Sequence, residues 1–420
     1  MTSRVSRIVS IAAVAAAGAL MLAGCSSSGG GSDSATLQVQ TNMAAGSPQL
    51  AALTKMADSF EKANPGVKLN LIPSTNTYEQ DLKVMLAAHN APDIWQTHGW
   101  SRDRYSQFLA PLQGESWNKD VNKILDPSMR DSSGNIYALP MVADVTGLLY
   151  NADVLKKVGV DPATLTSWDA FDAAAAKIKA AGVTPIAVSG KDNGPAGNLI
   201  DWMAPGFYSQ DQLASLKKGT FQSDAYKPIL DQVQKWAKAG YINPDYSSAT
   251  SADVSKALGA GQAAFVFSQN TSAQNAFTTS PDANIGFFPI PTQSGTPYLI
   301  GGEGIAYGAS KTGKNLADAK KFLDFLAQPA NQETFAVAAG GVPGLTTAKV
   351  DLGKLQPSYD QWVVKAKSPL VPYFDRVYLP NGLWNTLVTT TDSVITGQST
   401  PAAGTDQVGK DFQSLYGQKQ

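Results

Sequence analysis

The chain has 420 residues and a formal net charge of -1, with only 16% of its residues charged. That balance lacks the basic field that a nucleic-acid partner needs. A single cysteine and two histidines exclude an intramolecular disulfide and a Cys/His metal cluster, and the length calls for two domains. In chain order, Arg4 and Arg7 come first, followed by an unbroken run of apolar and small residues over 8–22. The run is too short for a comfortable membrane span and suits the core of a signal peptide, so residues 1–24 are the expected leader. No later stretch stays apolar long enough to span a bilayer.

The leader ends in Leu22-Ala23-Gly24-Cys25, which resembles the lipobox of bacterial lipoproteins. The resemblance implies cleavage before Cys25, lipidation of its thiol and attachment to the outer face of the cell membrane. Several acyl chains anchor stably, since each buried methylene contributes about 0.8 kcal/mol. The Ser- and Gly-rich tract that follows Cys25 is too poor in apolar residues to pack a core, and residues 25–35 read as anchor and flexible tether.

The folded part opens with Leu37 and Val39 alternating with polar residues as a short strand. Ser47 and Pro48 suit a helix start, Leu50, Leu53, Ala57 and Phe60 follow at helical spacing, and Pro65-Gly66 stops the helix. Val67, Leu69 and Leu71 predict a second strand, 78–88 a second helix, and Asp93-Ile94-Trp95 a third strand. Ser101 is positioned to cap a helix that carries Tyr105, Phe108 and Leu109 on one face. This β-α-β-α-β order predicts a parallel sheet. The pattern restarts after Asn151: a helix with Trp168, Phe171, Ala175 and Ile178, a strand over 185–188, a helix from Tyr226 to Ala237, and strands at 264–267 and 284–288. Two α/β lobes follow. Ligands of such sheets bind beyond the carboxyl ends of the strands, which points to residues 41–47, 73–78, 96–100 and 189–198.

Several segments then carry a resemblance. Phe60-Glu61-Lys62-Ala63-Asn64-Pro65-Gly66-Val67, Ala91-Pro92-Asp93-Ile94, Tyr137-Ala138-Leu139-Pro140 and Leu149-Tyr150-Asn151 are similar to the extracellular solute-binding proteins of sugar ABC importers. Ser167-Trp168-Asp169-Ala170-Phe171, the 259–265 segment Gly-Ala-Gly-Gln-Ala-Ala-Phe and Ala319-Lys320-Lys321-Phe322-Leu323 continue the same ordered series. The family, of which the maltose-binding protein is a distant relative, implies a type II periplasmic-binding-protein-like fold. Each lobe is then a parallel-rich sheet flanked by helices, and several strands cross the hinge. Lobe 1 would take 36–143 plus 304–348, and lobe 2 would take 144–303 plus 349–420. The implied protein is a non-enzymatic monomer without cofactors, partnered by a carbohydrate and by the membrane permease.

Two site residues come from the resemblance. Asp144 stands where the relative has a glutamate that bonds sugar hydroxyls, and a carboxylate accepts several such bonds. Trp384, in Pro380-Asn381-Gly382-Leu383-Trp384, stands where the family places a sugar-stacking tryptophan. Trp384 also begins a helical stripe with Leu387, Thr391 and Val394, so a core role stays open. His98 and Trp100 follow the third strand, where the relative gathers polar and aromatic contacts. Asn42 and Asn76 end the first two strands; Asp192 and Asn193 follow a strand of lobe 2, with Trp202 nearby; Gln269 and Asn270 follow another. Gly301-Gly302-Glu303-Gly304 is placed at a recrossing between lobes, where Gly302 admits a sugar to the backbone and Glu303 accepts its hydroxyls, or where the chain merely needs permissive dihedrals. Val388 replaces an arginine of the maltose relative, so maltose itself is not carried over.

Other chemistries find little support. Ser189-Gly190-Lys191 lacks the earlier glycine of a phosphate-binding loop, and neither His89 nor His98 belongs to a metal motif. No nucleophile elbow is present. Three functions are open to the residues: carbohydrate capture, capture of another solute such as a polyamine or glycerol phosphate, and a surface enzyme or adhesin. A phosphate ligand wants convergent cations, and Lys191 is the one expected at the cleft.

Overall fold

The computed structural model describes residues 35–74, 77–97 and 101–418. The leader, Cys25, most of the tether, and the candidates Asn76, His98 and Trp100 lie outside the described residues. Strand β1 (Ala35–Gln40) buries Leu37 and Val39 completely, as period-two alternation requires. The helix Pro48–Ala63 begins as expected, with the Ser47 hydroxyl accepting from the Leu50 amide at 3.3 Å and proline in its first turn. Its Leu53, Met56 and Phe60 face the sheet side, and the edge of the Phe60 ring meets Phe322 at 5.1 Å. Strand β2 (Val67–Ile72), the helix Tyr78–Ala87 and strand β3 (Ile94–Thr97) complete the first pattern.

Strand β4 (Leu139–Thr146) is buried along its whole length, and the single residue Gly147 separates it from β5 (Leu148–Asn151) in a second sheet. That sheet adds β6 (Thr184–Ile186), β7 (Ala263–Val266) and β8 (Ile285–Phe288), in the order β6-β7-β5-β8. The chain then returns to the first sheet through β9 (Leu299–Ala309), β10 (Val342–Pro343) and β11 (Leu370–Val371). The first sheet runs β10-β4-β9-β3-β1-β2, with β11 paired to β9. Both sheets belong to one body, Ser34–Gln420.

Two expectations are corrected here. The sheets are mixed rather than parallel-rich. Strands β2-β1-β3 are parallel, but β9 opposes both β3 and β4, and β5 opposes both β7 and β8. Strand β5 enters its sheet straight from β4 with no crossover helix, so it runs against β7, which arrives through a helical connection. The helix expected after Ser101 stops at Tyr105, because Leu109 leaves it to bridge Ser310 at the end of β9. Gly301 to Gly304 lie where the chain passes from the second sheet back to the first. They are interior to β9, where Gly301, Gly302 and Glu303 pair with Val145, Asp144 and Ala143.

That pairing has an architectural result. Strand β3 pairs with β9 only from Ala306 to Ala309, whereas β4 continues beside it down to Thr146 opposite Ile300. The two strands therefore run on past β3 as a ribbon toward the second sheet, flanked by β10 on β4 at Val142 and Ala143 and by β11 on β9 at Leu299 and Ile300. Glycine is required along it by close approach. A Cβ on Gly147 would sit 2.1 Å from the Phe288 carbonyl oxygen, and one on Gly304 2.6 Å from an Asp144 carboxylate oxygen. Among the described residues, no helix is long and apolar enough to cross a membrane.

Candidate functional site

A cleft of about 460 Å³ opens where segments from the two sheets face each other. One wall comes from chain that follows β1 and β2: Asn42, Ser74 and the helix residues Tyr78, Glu79, Gln80 and Lys83, joined by Arg104. The other wall combines Asp192 and Asn193, Asn198 and Asp201 of the helix Pro195–Met203, Gln269 after β7, and the segment from Asp375 to Asn385. The first wall thus obeys the rule that open α/β sheets present their sites beyond the carboxyl ends of strands.

Local bonds fix these groups. Asn42 receives Ser74 Oγ at 2.9 Å on its Oδ1, while its amide donates to Gln96 Oε1 at 2.9 Å. Asp192 accepts the Ser251 amide at 2.6 Å. Asn198 donates to the Phe267 carbonyl at 3.1 Å, which ties its helix to the end of β7. On the opposite wall, Glu79 accepts from Tyr105 Oη at 2.8 Å and lies 3.5 Å from Arg104. Burial, with the Arg104 charge behind it, pushes the Lys83 ammonium below its ordinary value. Trp384 lines the cleft and opens the helix Trp384–Ile395. A Cβ on Gly197 would sit 3.0 Å from the outer edge of its ring, so the half-buried indole rests against bare helix backbone. The stripe reading and the cleft reading of Trp384 are therefore compatible.

The second wall continues inward as a charged network, of which sequence reading named only Asp144 and Glu303. Asp201 is 2% exposed and accepts the Asp375 amide at 2.8 Å. Arg376 donates to the Glu303 carbonyl of β9, and its guanidinium lies over the Tyr373 ring at 3.8 Å. Tyr373 Oη in turn donates to Asp144 Oδ2 at 2.7 Å. Burial raises both Asp201 and Asp375. The Asp375 charge adds to the rise at Asp201, whereas Arg376 counteracts it at Asp375. Burial also raises Asp144, against the pull of Arg376 and the Tyr373 bond.

Of the sequence-stated candidates, the structure gathers Asn42, Asp192, Asn193, Gln269 and Trp384 on the cleft. The other described candidates sit behind it. Trp202 is fully buried, its indole N–H bonded to the Gly147 carbonyl at 3.1 Å. Asn270 is buried and braces chain segments, donating to the Val145 and Gly340 carbonyls at 3.0 and 2.8 Å and accepting from Thr146 Oγ1 at 2.9 Å. Asp144, Gly302 and Glu303 lie in the ribbon behind Tyr373 and Arg376. The expected cation is also corrected. Lys191 does not line the cleft, which instead carries Lys83, Arg104 and Arg376. The spacing of Asn198 and Asp201 on one helical face held a usable signal, since residues three apart share a face. No comparable signal marked Asp375 and Arg376.

The chain is similar to known proteins over most of its length. MelE of Bacillus subtilis, a melibiose/raffinose/stachyose-binding protein, is 29% identical over 412 residues, covering 96% of this chain and 95% of its own. The crystal structure of a Bacillus licheniformis sugar transporter protein in complex with stachyose superposes with a TM-score of 0.82 at 28% identity. It covers 90% of this chain and 100% of that one. The sn-glycerol-3-phosphate-binding periplasmic protein UgpB of Salmonella typhimurium is 26% identical over 333 residues, with 73% and 74% of the two chains covered. Residues 29–333 match the family model of the bacterial extracellular solute-binding protein, and the chain belongs to that family.

Proposed function

We infer that this chain is the substrate-binding component of a carbohydrate ABC importer, and that its cargo is an oligosaccharide of the melibiose, raffinose and stachyose kind. The carrying observation is the cleft. Its Trp384 offers an aromatic face to the apolar side of a pyranose, while carboxylates and amides from both walls reach for hydroxyls. The full-length likeness to MelE and the likeness to the stachyose complex support the same class.

The working motion in this reading is closure of lobe 1 (36–143 plus 304–348) on lobe 2 (144–303 plus 349–420), with the β4/β9 ribbon as part of the hinge. Sugar touching both walls favours the closed state in proportion to its differential affinity, and the closed form delivers its cargo to the permease. Asn42, Asp192, Asn193, Gln269 and Trp384 are the contact residues in this proposal. Asp144, Trp202, Asn270, Gly302 and Glu303 support the wall and the hinge behind them. Asn76, His98 and Trp100 remain candidates from the sequence alone. A monomer lipidated at Cys25 places the site outside the cell, and binding without turnover is its whole activity.

A second reading is favoured by Lys83, Arg104 and Arg376, which would suit an anionic solute such as glycerol phosphate, and by the likeness to UgpB. Thermal unfolding of residues 26–420 with melibiose, raffinose, stachyose, maltotriose, sn-glycerol 3-phosphate and spermidine separates the two. A ligand at a hundredfold excess over its Kd stabilises the fold by about 2.7 kcal/mol. A rise in Tm with the galactosides alone supports the first reading. A rise with glycerol phosphate and none with sugars overturns it.

A further inference from the structure

We propose that Asp201 and Asp375 hold one proton between them on the second wall of the cleft, so that the pair shows a ligand a single negative charge. Both residues line the cleft, yet Asp201 is 2% exposed. Its carboxyl group accepts the Asp375 amide at 2.8 Å and lies within hydrogen-bonding reach of the Asp375 carboxyl group. Two carboxylates so placed cannot both ionise cheaply. Only one guanidinium, that of Arg376, is supplied by the adjoining segment, and its donors also serve the Glu303 carbonyl.

The surroundings decide which oxygen keeps the proton. Asp375 adjoins Arg376, so it carries the charge; Asp201 lies deeper and takes the proton, donating to Asp375. Other groups facing the pair add negative charge or none. Asp144 is bonded to Tyr373, Glu303 lies behind Arg376, and the buried Tyr298 hydroxyl donates to the Trp202 carbonyl. On the packed helix Trp384–Ile395, Asp392 is engaged by Tyr246 at 2.9 Å. On the opposite wall Arg104 is paired with Glu79, and Lys83 also lines the cleft. One proton on Asp201 thus leaves Asp375 as a fixed acceptor for ligand hydroxyls. Its loss at high pH puts a second charge into the wall and weakens that grip. The effect on sugar rests on the function proposed above; the shared proton does not.

The test is thermal melting of ligand-free residues 26–420 from pH 5 to pH 10, as wild type, Asp201→Asn, Asp375→Asn and Asp201→Ala. A carboxyl group raised by folding stabilises fully below its unfolded pKa and loses that contribution as pH climbs through the folded value. Wild type therefore falls behind Asp201→Asn as pH rises, by about 2 °C for each pKa unit of elevation. Asp375→Asn flattens the same slope, and Asp201→Ala is less stable than Asp201→Asn throughout. A wild-type minus Asp201→Asn difference that stays constant over the whole range overturns the proposal, as does an Asp201→Asn variant as damaged as Asp201→Ala at every pH. Raffinose titration then reads the consequence: affinity falls with pH in wild type and stays flat in Asp201→Asn. Because the ligand-free curves judge the pair alone, a failure of sugar binding is seen separately.

Discussion

Replacing Tyr373 by phenylalanine isolates one hydrogen bond of the buried network behind the cleft. The aromatic ring under Arg376 is kept, and only the hydroxyl that donates to Asp144 at 2.7 Å is lost. Asp144 is buried and already raised by that burial; the Tyr373 bond holds it partly down. Removing the bond raises the carboxyl further. A carboxyl raised by folding contributes stability that is complete below its unfolded pKa of about 3.9 and is lost as pH rises through the folded value. The loss goes further in the variant, so its penalty grows with pH. In acid the penalty is that of a neutral hydrogen bond, about 0.5–1.5 kcal/mol; once Asp144 is ionised in the wild type it approaches about 1.5–3 kcal/mol. A body the size of Ser34–Gln420 unfolds with an entropy of about 0.8 kcal/mol per degree. Tm should therefore drop by about 1–2 °C at pH 4 and about 2–4 °C at pH 8 relative to wild type. Calorimetry at the two pH values measures both. A penalty that is absent at pH 8, or that shrinks as pH rises, refutes the assignment of that bond.

Three further substitutions address other parts of the molecule. Gly147→Ala drives a methyl group into the Phe288 carbonyl at 2.1 Å, with backbone on both sides unable to yield; a loss of more than about 3 kcal/mol is expected, visible as insoluble expression or a collapsed melting transition. Asn270→Ala removes two donated bonds, to the Val145 and Gly340 carbonyls, and one accepted bond from Thr146. Denaturant titration should register about 2–4 kcal/mol. Trp384→Ala should weaken binding of raffinose or stachyose at least tenfold by calorimetric titration, while a core-only role would lower Tm and leave the affinity of the folded protein unchanged.

The local elements were legible because their causes are local. Ser47 before Pro48, the Leu50–Phe60 spacing and the alternation of Leu37 and Val39 act within a few residues of themselves, and each appears in the fold. The near wall of the cleft followed from strand ends, which is why Asn42 was found. Trp202 and Asp201 show where this stops. Neighbours on a helix point about 100° apart, so the indole goes to the core while the carboxyl beside it reaches the cleft. Aromatic character drew attention to the wrong one of the two. The Asp201–Asp375 pairing joins residues 174 positions apart, and nothing near either residue announces the other. The small residues of Gly301-Gly302-Glu303-Gly304 were legible as a recrossing, but the reason that three of the four positions carry no side chain was not. They are glycine because Ile124, Tyr373 and Asp144 crowd the strand from outside it.

The β4/β9 ribbon also has a mechanical character. Its register runs from Leu139 opposite Tyr307 to Thr146 opposite Ile300. Pulling the two sheets apart along the strands, or sliding one strand past the other, must break those inter-strand bonds together. Twisting the strands about their common axis strains each bond only slightly. Such a connection resists tension and shear more than torsion, which is the mechanical character that the proposed closure of the lobes requires.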